Sequence, residues 1–236
     1  MISVMRNLDQ SRRFRQAMLV TAALIGLGVL ALAIATADVQ VAHAETLSGL
    51  KAHPLTAEDK ADIERVNDYL NGLTNLQGNF LQVGPDGSLA EGKFYLRRPG
   101  RLRFEYTPPQ KTLVVADGTW VAVKDGFSAA QRYPISSTPL GIILASHVDL
   151  LNDTRILGVE RQPGVLRLVL QDKSGNAPGD LTLVFDQPSL QLRQWVVTDA
   201  QGLQTTVALR NTRSGIKADN ALFVLQDEQR PGVGKP

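Results

Sequence analysis

The chain has 236 residues, 43% of them hydrophobic and 20% charged, and no cysteine. That length can bury an ordinary apolar core without staples, and the lack of thiols excludes disulfides and a thioether lipid anchor. There are 25 Lys and Arg against 23 Asp and Glu, but four arginines and two aspartates fall in residues 1–44, which leaves 21 of each sign beyond them; a neutral folded part argues against a nucleic-acid partner.

Residues 1–44 read as an export leader. Arg6, Arg12, Arg13 and Arg15 make a basic start, and 17–35 is an uncharged run rich in Leu, Ala and Val. Small-residue cleavage patterns follow at Ala35-Thr36-Ala37 and Ala42-His43-Ala44. Cleavage after Ala44, by the general export route, would release a single domain, 45–236, into the periplasm.

Thr56 then stands before Glu58 and Asp59 as a helix N-cap. Ile63, Val66, Leu70 and Leu73 recur at helical spacing, and Asn71-Gly72 marks the stop. From Leu76 the period shortens to that of strands, at about 76–83, 89–98, 101–106, 111–116, 119–124 and 130–134. Turn residues such as Asp86-Gly87, Pro99-Gly100 and Asp117-Gly118 separate them. Residues 136–145 predict a short helix, with Ser137 or Thr138 as cap and Pro139 as its first residue. Asp149 to Leu151 adds another turn. Strands resume at about 155–160, 164–171, 179–186, 190–198 and 202–209, and Phe223-Val224 offers a last one.

The pattern predicts an α+β fold, a large curved antiparallel sheet with helices over one face. A closed barrel or sandwich with peripheral helices fits the same pattern. Chemistry is sparse. No nucleophile elbow or phosphate loop occurs, His53 and His147 stand alone without metal spacing, and the carboxylates sit singly in turns. Neither a cofactor nor a metal is implied.

The most informative stretch is 93–106, KFYLRRPGRLRFEY. Phe94, Leu96 and Arg98 share one strand face, and Leu102, Phe104 and Tyr106 share one beyond the Pro-Gly break. Arg97, Arg101 and Arg103 fall opposite and read as a solvated face. Arg98 admits two readings: a strand-end cation reaching water, or a cation inside an apolar concavity that needs acceptors.

Taken in order, Gln77-Gly78-Asn79-Phe80, Arg98-Pro99, Asp117-Gly118 and Thr138-Pro139-Leu140 resemble the layout of the periplasmic outer-membrane lipoprotein carrier (LolA) family over about residues 58–225. The resemblance implies a half-open antiparallel barrel of about 10–11 strands, with a lid of two or three helices over an apolar cavity. Arg98 would be the latch that bonds lid carbonyls. Leu140, Ile142, Ile143 and Leu144 would lie on the lid. Phe80, Phe94, Leu96, Leu102 and Phe104 would line the cavity or its mouth. Leu102 and Lys124 depart from the aromatic residues common at the matching family positions. The family's role would make the chain a monomeric, non-catalytic carrier of lipoprotein acyl chains, served by an inner-membrane lipoprotein-releasing ABC transporter and an outer-membrane acceptor. A periplasmic lipid or glycolipid binder and a lipoprotein-sensing regulator are the alternatives on the same fold.

Overall fold

The computed structural model describes residues 54–126 and 128–225. The expected leader lies outside the described residues.

Helix α1, Ala57–Gly72, begins as its sequence predicts. The Thr56 hydroxyl accepts from the Asp59 N–H at 3.1 Å, and the Thr56 N–H donates to the Asp59 carboxylate at 2.8 Å. Ile63, Val66 and Leu70 are fully buried. Asp62, which falls off that stripe, is buried as well. Arg161 and Arg65 reach its carboxylate at 2.7 and 2.9 Å, and Arg161 also holds Asp59 at 2.9 Å. A carboxylate can be buried there because it is paired. The same arginine ties the start of α1 to the turn between two strands far along the chain.

Six strands follow: β1 (Asn75–Val83), β2 (Leu89–Arg97), β3 (Arg101–Tyr106), β4 (Thr112–Asp117), β5 (Trp120–Asp125) and β6 (Gln131–Pro134). A connection then carries the short helices α2 (Leu140–Leu144) and α3 (Leu150–Asp153). Five more strands complete the sheet: β7 (Thr154–Gln162), β8 (Val165–Asp172), β9 (Asp180–Asp186), β10 (Leu192–Thr198) and β11 (Gln204–Ser214). The order across the sheet is β6-β5-β4-β3-β2-β1-β11-β10-β9-β8-β7. Every recorded strand pairing is antiparallel. Two meanders are therefore joined by the β1–β11 ladder, and β6 and β7 are the two free edges.

Ring contacts measure the curl of this sheet. Phe104 on β3 and Trp195 on β10 lie four strands apart, roughly 19 Å along a flat sheet. Their ring centroids are 6.0 Å apart. The sheet bends back on itself but does not close, which is the half-open barrel expected. Because β6 and β7 are consecutive in the chain and opposite in the sheet, residues 135–153 must run from one edge to the other. That connection is the lid.

Two sequence expectations need correcting. Neither Ser137 nor Thr138 caps α2. Their hydroxyls turn back to the carbonyls of Pro134 and Ile135, at 2.8 and 2.9 Å, and close a 3₁₀ turn over 135–137. The Phe223 region is likewise no strand. Residues Asn220–Phe223 form a 3₁₀ turn, capped by Asp219, that packs on β3 and β4. This turn covers much of the face read as solvated. The Arg97 guanidinium carbon lies 5.1 Å from the centre of the Phe223 ring. Arg103 donates to the Leu222 carbonyl at 2.9 Å and pairs with Glu105 at 2.6 Å.

Candidate functional site

The inward faces of the strands, α1 and the lid form one hydrophobic core. Phe80, Phe94, Leu96, Leu102 and Phe104 are all buried in it. Phe80 meets Phe104 edge-on at 4.7 Å and Tyr106 at 4.9 Å, and Phe94 stacks on Phe104 at 6.0 Å. These rings fill the space between the two meanders in this closed form. Of the lid residues named from sequence, Leu140, Ile143 and Leu144 point into the same core. Ile142 is half-buried and lines an open cleft of about 470 Å³ beside α2, together with Ala145 and Val148.

Arg98 stands where the β2–β3 turn meets the lid. Its Nη2 donates to the Ala145 carbonyl at 2.6 Å, and its Nε donates to the same oxygen at 3.3 Å. Ala145 is the residue that ends α2, so the cation sits on the negative end of that helix. The neighbouring Gly100 N–H donates to the Leu144 carbonyl at 2.8 Å. Gly100 has a φ of 72°, and a Cβ there would lie 2.7 Å from the Gly118 Cα. Only glycine takes that conformation so close to the neighbouring turn at Gly118. Burial lowers the pKa of the Arg98 guanidinium, yet the group remains a cation. Its Nη1 is buried without a partner. A cavity of about 590 Å³ lies beside it, lined by Arg98, Gly100, Leu144, Ala145 and their neighbours.

Asn71 completes the arrangement, and the sequence reading assigns it only to a helix end. Its Oδ1 accepts from the Val148 N–H at 2.9 Å, and its Nδ2 donates to the Val148 carbonyl at 2.9 Å. Arg98 Nη2 approaches the same Oδ1 at 3.5 Å. One turn earlier, Asn67 accepts from the Leu150 N–H at 3.0 Å. The last turns of α1 thus act as a post to which residues 145–150 are tied. No local signal marks Asn71, because its partners lie 77 residues on. Asn71→Ala removes two bonds, worth about 2 kcal/mol together. The Val148 amide is then expected to exchange its hydrogen roughly 30-fold faster than in wild type. Unchanged protection would show that Asn71 does not hold the lid.

The family model described as outer membrane lipoprotein carrier protein LolA matches residues 71–226. The chain belongs to the LolA family. The match begins at Asn71 itself and covers the Arg98 turn, the lid and all eleven strands. Curated relatives named outer-membrane lipoprotein carrier protein include one from Methylococcus capsulatus, 27% identical over 169 residues, covering 67% of this chain and 80% of the relative. Another from Alkalilimnicola ehrlichii is 28% identical over 198 residues, covering 78% and 88%. Among solved structures, a LolA superfamily protein from Nitrosomonas europaea aligns over 73% of this chain and 99% of its own, with 12% identity and a TM-score of 0.42. MucB aligns over 73% and 64%, with 14% identity and a TM-score of 0.41. The LolA family is one of carriers, not of enzymes.

Proposed function

We propose that this LolA-family chain is a periplasmic carrier that takes up the acyl chains of lipoproteins released from the inner membrane and delivers them to an outer-membrane acceptor. The observation that carries this reading is the Arg98 guanidinium on the Ala145 carbonyl, where a cation of the β2–β3 turn holds a lid above a predominantly apolar core.

The energetics favour such a device. Burying acyl chain contributes about 0.8 kcal/mol per CH₂, so one long chain gains on the order of 10 kcal/mol. A site that simply offered that gain would rarely let go. In the closed form the aromatic rings occupy their own space, and the lid is held just beyond α2, by Arg98 at Ala145 and by Asn71 at Val148. Uptake of an acyl chain must break the Arg98 bonds and displace the rings. Part of the burial energy is offset, and release becomes possible. The residues assigned to this work are Arg98 as latch, Leu140, Ile142, Ile143 and Leu144 on the lid, and Phe80, Phe94, Leu96, Leu102 and Phe104 as the lining exposed on opening. An inner-membrane releasing transporter would supply the cargo in this scheme. The leader at 1–44 would place the chain in the periplasm.

Depletion tests the carrier role. Lipoproteins destined for the outer membrane are expected to accumulate in the inner-membrane fraction within a few generations. If they reach the outer membrane normally while an envelope-stress response is lost, the chain is a sensor and not a carrier.

A further inference from the structure

Two polar groups in the apolar core have no hydrogen-bond partner among the described residues: Trp195 Nε1 and Thr205 Oγ1. Their residues are 2% and 1% exposed. Both lie on the inward face of the sheet. Trp195 pairs across the β10–β11 ladder with Val207, and Val197 with Thr205. Trp195 and Thr205 are therefore diagonal neighbours on one face, roughly 7–8 Å apart at the backbone. On the other side of Val207 stands Gln82, its partner in the β1–β11 ladder, which accepts from the Tyr106 hydroxyl at 2.7 Å. Full burial raises the Tyr106 pKa well above its ordinary value, so that phenol stays a neutral donor. The floor of the core thus carries a polar patch, with one pair satisfied and two groups not.

A core meant only for alkyl chains gains nothing from these groups. A buried donor left unpaired costs free energy that an apolar side chain of the same shape would not. Hydrocarbon offers no acceptor to relieve the cost. The carbonyl that joins an acyl chain to its head does. Resting on the carrier reading above, we infer that Trp195 and Thr205 form a carbonyl-binding subsite, whose indole N–H and hydroxyl donate to the ester or amide oxygens of an acylated head group. The subsite would set how deep the chains seat, and it would favour acyl lipids over alkyl lipids of equal length.

A chemical cycle tests this. The probes are a short lipopeptide bearing two octanoyl esters on a glyceryl-cysteine head and its dialkyl ether analogue, titrated calorimetrically into the purified wild-type protein and the Trp195→Phe, Thr205→Val double variant. The wild type is expected to bind the ester about 10-fold more tightly. The double variant should bind both probes alike, with its ether affinity close to wild type. Equal affinities in the wild type, or an ester preference that survives in the double variant, would overturn the subsite and leave the carrier role standing. Binding of neither probe to wild type would overturn the carrier reading and the subsite with it. A second readout needs no ligand. Thr205→Val keeps the shape and removes an unpaired hydroxyl, so the melting temperature should rise by about 3 °C. A fall would mean that the hydroxyl is already satisfied, and would overturn the subsite.

Discussion

Arg98→Leu is expected to slow delivery of bound lipid at least 10-fold and to lengthen its retention. Arg98 makes two bonds to one carbonyl at the end of α2, and in the proposed mechanism both are broken when the lid opens. Hydrogen bonds to a charged group contribute about 1.5–3 kcal/mol. Loss of about 2 kcal/mol from the closed state shifts the open-to-closed ratio by roughly 30-fold. Leucine also removes the closed-state cost of burying a guanidinium whose Nη1 has no partner, which offsets part of that shift and brings the expected effect down toward about 10-fold. The variant should fold, since Leu96 and Leu144 already provide apolar neighbours. The measurement is transfer of a fluorescent lipopeptide from the loaded protein to acceptor membranes. Arg98→Lys should fall between, because an ammonium keeps the charge but cannot place two donors in the same fork. Transfer by the leucine variant at the wild-type rate would remove Arg98 from the mechanism.

Gly92→Ala is expected to lower the melting temperature by roughly 10 °C. Gly92 sits on the inward face of β2, opposite Phe80 on β1 and Tyr106 on β3. A Cβ there would fall far inside contact distance of the Glu105 carbonyl oxygen and 2.8 Å from Phe80 Cε1. The obstacle is backbone, which cannot swing aside as a side chain can. Overpacking of this kind costs about 3 kcal/mol, and each kcal/mol shifts the midpoint of a domain this size by about 2–4 °C. Lipid binding should weaken as well, because Phe80 cannot keep its place against Phe104. Gly72→Ala serves as the control. Nothing lies within 4 Å of its Cβ position, so its melting temperature should stay within a degree or two of wild type. Equal behaviour of the two variants would mean that β2 and β3 do not approach as described.

Local patterns in the sequence carried most of the fold. The Thr56 cap, the stripe of Ile63, Val66 and Leu70, and the turn residues between strands all act over a few positions, and α1 and the strands β1 to β10 lie within a few residues of their predicted bounds. The closing of two meanders through β1 and β11 is less visible, because a ladder between Leu76 and Ser214 leaves no mark in either segment. The same holds for the outer face. Arg97 and Arg103 look solvated from alternation alone, and the segment 218–223 explains their partial cover. At the site, alternation places Arg98 behind Phe94 and Leu96 on one strand face but leaves its two readings open, and only the Ala145 carbonyl 47 residues on shows which acceptor it meets. Asn71, Trp195 and Thr205 were not legible. An asparagine at a helix end and a tryptophan or threonine in a strand each have an ordinary local explanation, and their special environments come from segments far away in the chain.

The carrier claim is tested most directly by native mass spectrometry of the protein isolated, without detergent, from the cells that make it. A one-to-one complex with triacylated lipoproteins is expected, enriched in the Arg98→Leu variant, whose latch is lost. Recovery of both proteins with phospholipid or glycolipid alone, and never with a lipoprotein, would contradict it.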